Sequence, residues 1–508
     1  MENGHSTEGA AVGMCLALDG NRSLTIGDKH LVFDGLTNKS KWSSCTSITT
    51  DASGKRLIPL YNILWAELVG SQLLIDYAAQ PSKTSIKHEK WTYETAPSDK
   101  GPDVPEPEAF AAALISRAYA DAQPRKRAYV LVNPNAGPGG ALRRWNREVK
   151  PLFEAARMHM DVVTLAKGGE AVELAEKVDI DKYDTIMACS GDGTPHEIFN
   201  GLARRPDASR ALSKMAVSHI PCGSGNAMSC NLYGSHRPVF AALAIIKGVV
   251  TPLDLVSITQ GDRRLISFLS QSLGIIAESD LGTENLRWMG SRRFDLGVII
   301  RVFRKRCYPC DLAVKVEVDQ KEGVRAHYKH HASEASLHNK AHAEARQGDG
   351  EGGGLPPLKY GSIQDDLPEG WELVPYDKIG TFYCGNMAYM APDLNFFSAA
   401  VAADGCMDLV TINGDLSPIT ATKTLMSVES GKFFDSPHVS YKKISAYRII
   451  PRNQEDGYIS IDGERIPFGP FQAEVHRGLG RVISKRGAFE ADGPSSWDSV
   501  TVAERLHA

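Results

Sequence analysis

The chain has 508 residues, 42% of them hydrophobic and 23% charged, which is enough for two or three domains and a substantial core. Its 57 basic and 61 acidic residues leave a formal net charge of −4, so there is no general electrostatic reason to expect nucleic acid as a partner. No window approaches the ~18 uninterrupted apolar residues that cross a bilayer, and Met1–His5 lacks the start of a signal peptide, so any contact with a membrane surface is expected to be peripheral.

In chain order, residues 1–122 read as a β-rich regulatory or docking region. Leu24–Phe33 has the pattern of a hairpin, and Leu57–Trp65 and Gln72–Asp76 read as strands. Pro102, Pro105 and Pro107 mark a linker into a helix over about 108–121. Residues 123–258 change character. Strands at Tyr129–Val132, Asp161–Thr164, Thr185–Cys189 and Ala216–Ile220 alternate with helices near 141–157, 169–178, 195–204 and Val239–Lys247, the signature of a parallel α/β sheet. Over 259–490 strands dominate, at Arg264–Gly274, Leu312–Val318, Thr381–Met387, Asp408–Ile412 and Tyr458–Ile461, and predict an antiparallel sheet or β-sandwich. The polar stretch 320–370 reads as a disordered insertion, and 491–508 as a tail. The nine cysteines are scattered; Cys307–Cys310 is a single CxxC pair, and buried free thiols in a reducing compartment account for the set.

Three glycine-rich turns follow successive strands of the predicted parallel sheet: Asn133–Gly140, Ser190–Glu197 and Pro221–Ala227. A strand-to-helix turn uses glycine for steric reasons alone, but three in consecutive βα units point to phosphate, because glycine lets backbone N–H groups approach an anion at the carboxyl end of the sheet. The sequence contains no GxxxxGK[ST] loop and no protein-kinase HRD loop, and none of the three turns spells a full GxGxxG.

Ser190-Gly-Asp-Gly-Thr-Pro-His-Glu-Ile-Phe-Asn-Gly201, with Asn133-Pro134 before it and Gly223-Ser-Gly-Asn226 after it, resembles the diacylglycerol-kinase catalytic domain. Gly274–Gly290 and Asp462-Gly-Glu464 resemble the sphingosine (long-chain-base) kinases, in particular those of fungi. The resemblance covers about 128–486, less the insertion. It implies an ATP- and Mg²⁺-dependent lipid kinase that phosphorylates the primary hydroxyl of a sphingoid base, with a β-rich lipid-binding domain behind the nucleotide domain. Asp192 would be the general base. Asn133, Pro134, Asn135, Thr164, Ser190, Gly191, Gly223, Ser224, Arg287, Arg293, Asp462, Gly463 and Glu464 would hold ATP. Asp192, Gly193, Ser270 and Asp280 would hold the lipid, with Asp280 paired to its ammonium. No residue is assigned as a direct metal ligand. Ceramide or diacylglycerol kinases, and an inactive lipid-binding protein, are the alternatives.

Seven basic residues between Arg287 and Arg306 interleave with Leu296, Val298, Ile299, Ile300, Val302 and Phe303, a pattern that fits either an acyl pocket facing anionic lipid or a core helix with a solvated end. Phe396-Phe397 is open to two readings, lipid contact or a packed hydrophobic turn. The implied location is cytoplasmic, at the surface of intracellular membranes, and self-association into a homo-oligomer is left open.

Overall fold

The computed structural model describes residues 13–18, 22–35, 49–50, 54–95, 105–281, 307–338 and 353–500. Arg287, Arg293 and the predicted helix between Arg293 and Arg306 lie outside them, as does the side chain of Asp280.

The chain forms two compact units. The first comprises Met1–Arg127 with Arg143–Met160 and Arg237–Val249; the second comprises Ala128–Leu142, Asp161–His236 and Val250–Ala508. In the first unit the predicted hairpin forms with Leu24 opposite Phe33, inside a five-stranded antiparallel sheet. The expected strand Leu57–Trp65 is broken. Pro59 ends one strand, Leu60–Asn62 makes a 3₁₀ turn, and Ile63–Val69 opens a three-stranded sheet with Gln72–Ser82 and Ser85–Glu94. The helix Pro107–Tyr119 buries Phe110 and Leu114. Helix Pro238–Lys247 belongs to this unit, and its last residue shows how it is held. The buried Lys247 Nζ donates to the carbonyls of Ile63 and Ala118 and lies 3.7 Å from the Tyr119 ring centroid, and burial holds its pKa well below the usual lysine range.

The second unit is built on one mixed sheet. Its parallel part runs in the order His159–Thr164, Arg127–Val132, Thr185–Ser190, Ala216–Pro221, with Thr185 beside both Ala128 and Ala216. The two inner strands Thr185–Ser190 and Ala216–Pro221 are buried at every residue, as expected for strands covered on both faces, whereas the edge strand His159–Thr164 is partly exposed. The sheet then continues instead of ending. The 14-residue strand Phe471–Ser484 pairs parallel with Ala216–Val217 through Arg481–Val482 and antiparallel with Ala446–Ile449 through Phe471–Glu474. Two separate β layers were the expectation; a single long strand that changes partners makes them one sheet. Ser440–Pro451, Met407–Asn413, Ile379–Gly385 and Ser270–Gly274 follow in antiparallel order.

Two further expectations are corrected. Arg264–Gly274 is two strands, Arg263–Ser267 and Ser270–Gly274, separated at Phe268–Leu269. The supposed disordered insertion contains the helix Lys321–His338, which buries Val324 and Tyr328 in a cluster with Phe397, Phe433 and Tyr441. Beyond it, the amides of Lys359 and Tyr360 donate to the Glu474 carboxylate. The stretch is too polar to build a core, but a neighbouring core lets a few apolar side chains suffice.

Candidate active site

The three glycine turns meet at the carboxyl end of the parallel strands, and their glycines are needed first for backbone to pass backbone. A Cβ on Gly223 would stand 2.5 Å from the Gly191 Cα, and one on Gly137, whose φ is +56°, would stand 2.6 Å from the Cys222 carbonyl. Side chains then lock each turn. Asn133 Oδ1 accepts from the Asn135 amide at 3.0 Å. Asn226, in the left-handed region at φ +55°, accepts from the Gly223 amide and donates to its carbonyl.

Asp192 stands between the second and third turns. Its two carboxylate oxygens accept from the amides of Ala227 and Met228, both at 3.0 Å, at the start of the helix Ala227–Tyr233. This cap fixes the carboxylate plane and leaves the group partly exposed, with 15% of its side chain accessible. A Cβ on Gly225 would lie 3.2 Å from Asp192 Oδ2 and 3.5 Å from the Met390 carbonyl, so Asp192 is flanked by glycine turns on one side and by the Tyr389–Ala391 strand on the other.

These elements enclose a cavity of about 880 Å³ with two chemically different halves. Asn133, Asn135, Gly191, Asp192, Gly193, Gly223, Ser224, Gly463 and Glu464 line the polar half. Leu269, Ile276, Tyr383, Met390, Leu394, Phe396, Leu425 and Met426 line the apolar half, with the hydroxyls of Ser270, Ser272, Ser279 and Thr422 among them. The ionisable lining residues are Asp192, Glu197, Glu429, Asp462 and Glu464, and no Lys, Arg or His is present among the described lining residues.

Asp462 lines the cavity and also has a structural role. It is buried at φ +53°. Its carboxylate accepts from the Ser267 hydroxyl, from the amides of Phe268, Leu269 and Ser270, and sits 2.8 Å from His196 Nδ1. Five partners saturate the lone pairs of a carboxylate. Burial lowers the proton affinity of His196, but the Asp462 carboxylate and nearby Glu464 and Glu197 outweigh it and leave the pKa raised. Asp462 therefore pins the 267–270 turn to the helix Gly193–Ala203, and Glu464 of the same motif lines the cavity with its Oε1 near the first residue of that helix.

Of the other residues singled out from sequence, Ser190 is buried with its hydroxyl donated to the Gly191 carbonyl, and Pro134 and Thr164 do not line the cavity. Ser270 lines it, and Asp280 lies on the helix Ile275–Leu281 that contributes Ile276 and Ser279. Phe396-Phe397 divides between its two readings. Phe396 lines the cavity, whereas Phe397 is fully buried with its ring 4.8 Å from Tyr383. Sequence reading missed Glu197, Tyr383 and the helix Pro418–Met426. Glu197 caps the start of the helix Glu170–Lys177 through Gly169 and Ala171, a long-range role without a local pattern. Among the described residues His327, Asp404 and Cys406 place potential metal-ligand atoms within 4.8 Å of one another, but the Lys443 ammonium 2.8 Å from Asp404 already supplies the cation there.

Residues 127–258 match the diacylglycerol kinase catalytic domain family, and residues 14–120 match a domain of unknown function, DUF7493. The sphingoid long chain base kinase 4 of Schizosaccharomyces pombe is 32% identical over 85% of this chain and 89% of its own length. The chain belongs to the sphingoid long-chain-base kinase family. The sphingoid long chain base kinase 5 of Saccharomyces cerevisiae is 34% identical over 74% of this chain, and the match spans 62% of that longer protein. A diacylglycerol kinase crystal structure from Bacillus anthracis aligns over 71% of this chain and 97% of that one, with 17% identity and a TM-score of 0.44. Among the described residues of this family member, no helix is long and apolar enough to cross a membrane.

Proposed function

We propose that this protein transfers the γ-phosphate of ATP to the primary hydroxyl of a sphingoid long-chain base. The observation that carries the reading is the divided cavity, with glycine turns that can approach phosphates on one side, an apolar wall on the other, and the Asp192 carboxylate lining it beside both. The preference for a sphingoid base over neutral ceramide or diacylglycerol rests on the family resemblance and on Asp280, which lies on the helix that contributes Ile276 and Ser279 to the cavity.

In this reading the substrate hydroxyl gives its proton to Asp192 as its oxygen bonds to the γ-phosphorus and the bond from phosphorus to the bridging oxygen of ADP breaks. The two amides on Asp192 orient it, and the apolar wall excludes water from the acceptor. Hard oxygen donors in the polar half fit Mg²⁺, with Glu464 the residue that would hold it together with the nucleotide; when bound, the ion neutralises phosphate charge. By family resemblance Arg287 and Arg293 supply the further positive charge and Asp280 takes the ammonium.

A membrane partner fits the lipid substrate. On the helix Pro418–Met426, Ile419 is 70% and Met426 64% exposed, with Lys423 between them on the same face, while Leu425 and Met426 also line the cavity. That stripe suits insertion at the surface of a bilayer, and the protein is proposed to act peripherally on intracellular membranes from the cytoplasm.

The test is transfer from labelled MgATP to sphingosine, ceramide and diacylglycerol in parallel, by wild type, Asp192→Asn and Asp280→Asn. Transfer to sphingosine is expected alone, reduced on the order of 10²- to 10⁴-fold by Asp192→Asn and to a lesser degree by Asp280→Asn. Transfer to ceramide or diacylglycerol with Asp280→Asn fully active would replace the substrate, and no transfer to any lipid would leave only a binding protein.

A further inference from the structure

Behind Asp192, on the side away from the cavity, stands a residue that the mechanism above does not use. His219 lies on the strand Ala216–Pro221, which leads into the third glycine turn, and is fully buried. Its Nε2 is 2.9 Å from the Ser190 carbonyl. A carbonyl only accepts, so Nε2 carries the proton. Burial pushes the pKa of the ring down, which keeps it neutral and leaves a bare lone pair on Nδ1. That lone pair has no hydrogen-bond partner, and the nearest charged atom is Asp192 Oδ1, 4.0 Å away.

Two acceptors thus face each other, and among the described residues no cationic side chain acts on His219. The Tyr233 hydroxyl accepts from the His219 amide at 3.2 Å, and burial pushes up the pKa of both Tyr233 and the neighbouring Cys230 thiol, the latter to about 12, so both stay neutral. Asp393, which acts electrostatically on Cys230, adds only negative charge. The two amides from Ala227 and Met228 already occupy one lone pair on each Asp192 oxygen. The unpartnered Nδ1 beside it is a buried acceptor that only a protonated Asp192 can satisfy.

We infer that His219 is a positioning residue for phosphoryl transfer, its Nδ1 accepting a hydrogen bond from Asp192 once that carboxylate has taken the substrate proton. This rests on Asp192 acting as the general base. The proton passes from the substrate hydroxyl to Asp192 and stays there until product leaves. His219 is never protonated by it; the contact closes by about the difference between 4.0 Å and an ordinary hydrogen-bond length. The gain is absent with substrate bound and develops as the proton moves onto Asp192, so it is felt in the transition state and appears in kcat, with KM unchanged.

Two substitutions separate the two ends of the ring. His219→Gln places an amide N–H where Nε2 was, keeping the bond to Ser190, and removes the acceptor at Nδ1. His219→Asn can keep an acceptor facing Asp192 and gives up the bond to Ser190. With the full chain, MgATP and sphingosine, His219→Gln is expected to lose about tenfold in kcat, with KM for both substrates within about twofold of wild type, while His219→Asn retains the larger kcat of the two. The reverse order, with His219→Gln active and His219→Asn impaired, would assign the residue to turn structure and overturn the inference, as would equal kcat values in two variants with wild-type thermal unfolding. Asp192→Asn in the same assay distinguishes the two levels. If it stays active, the general-base reading fails and this one with it; if it is inactive while His219→Gln matches wild type, only the role of His219 is lost.

Discussion

Buried polar side chains in the second unit differ in whether their surroundings favour the charged or the neutral form, and that difference sets what each one does. Asp462 is surrounded by five hydrogen-bond partners; removing the carboxylate would leave three amides and a hydroxyl unpaired, at a cost of about 3–5 kcal/mol. Lys443 is wholly buried yet charged, held between Asp404 at 2.8 Å and Asp408 at 2.9 Å. Its proton affinity is raised because the two carboxylates overcome the burial that lowers it. His476 goes the other way. Burial, with the Arg264 guanidinium adding to it, pushes its pKa down to about 4, and its Nε2 is 2.8 Å from the Ser257 hydroxyl. An unfolded histidine titrates near 6.5, so between about pH 6.5 and 4 the unfolded chain binds this proton and the folded chain does not. Stability should therefore fall as the pH drops through that window, by at most about 3 kcal/mol from this group, and fall no further below it. Urea unfolding at pH 7 and pH 4.5 checks the sign. His476→Asn should lose part of the acid sensitivity, and an unchanged loss in the variant would remove His476 as its source.

At the scale of elements, the helix Pro418–Met426 joins a conventional start to an unusual surface. Ser417 caps it by accepting from the Thr420 amide, and Pro418 occupies its first turn. Thr424 is buried, Leu425 and Met426 reach the cavity, and Ile419 points to solvent. An exposed isoleucine beside a lipid-sized cavity is explained if the face rests on a bilayer. Ile419→Glu should weaken binding to anionic vesicles by about tenfold or more, on the ordinary value of burying one such side chain, while activity on detergent-dispersed lipid is kept. Equal vesicle binding by wild type and variant would move membrane contact elsewhere. The strand Phe471–Ser484 is the other decisive element. Its start, Phe471–Glu474, is fully buried and pairs antiparallel, its middle is partly exposed, and its end, buried from Val482 to Ser484, pairs parallel through Arg481–Val482. No period describes such a strand, which is why it went unread in the sequence. The helix Ala227–Tyr233 escaped for a related reason, since all seven of its residues are buried and it shows no amphipathic face.

For the whole molecule, ligand binding and stability are linked. A nucleotide that binds only the folded chain stabilises it by about 2.7 kcal/mol at a hundred times its Kd. MgATP should accordingly raise the Tm by roughly 2–3 °C in a chain of this size, an effect that chelation with EDTA reverses if the ion and nucleotide bind together. Asp192→Asn should keep the shift, because the residue is assigned to proton transfer and not to holding the phosphates. A shift indifferent to EDTA would separate Mg²⁺ from the nucleotide site.

The sequence by itself determined the family, the three glycine turns and the carboxylate of Asp192 that stands among them, because all of these lie in short contiguous motifs: Asn133–Gly140, Ser190–Glu197 and Pro221–Ala227. It also determined that parallel strands would alternate with helices over residues 128–247, since both periods are local. Only the tertiary structure decided that the helix ending at Lys247 belongs with the N-terminal sheets, that a strand near residue 480 completes the sheet begun at 127, and that Asp462 is an anchor while Glu464 is open to the site. The same holds for His219, whose meaning depends on a carbonyl 29 residues away and a carboxylate 27 residues away. The reason is physical. Burial, saturation of a carboxylate and the choice of a tautomer depend on which groups meet in space, and those groups are supplied by parts of the chain that no local pattern connects.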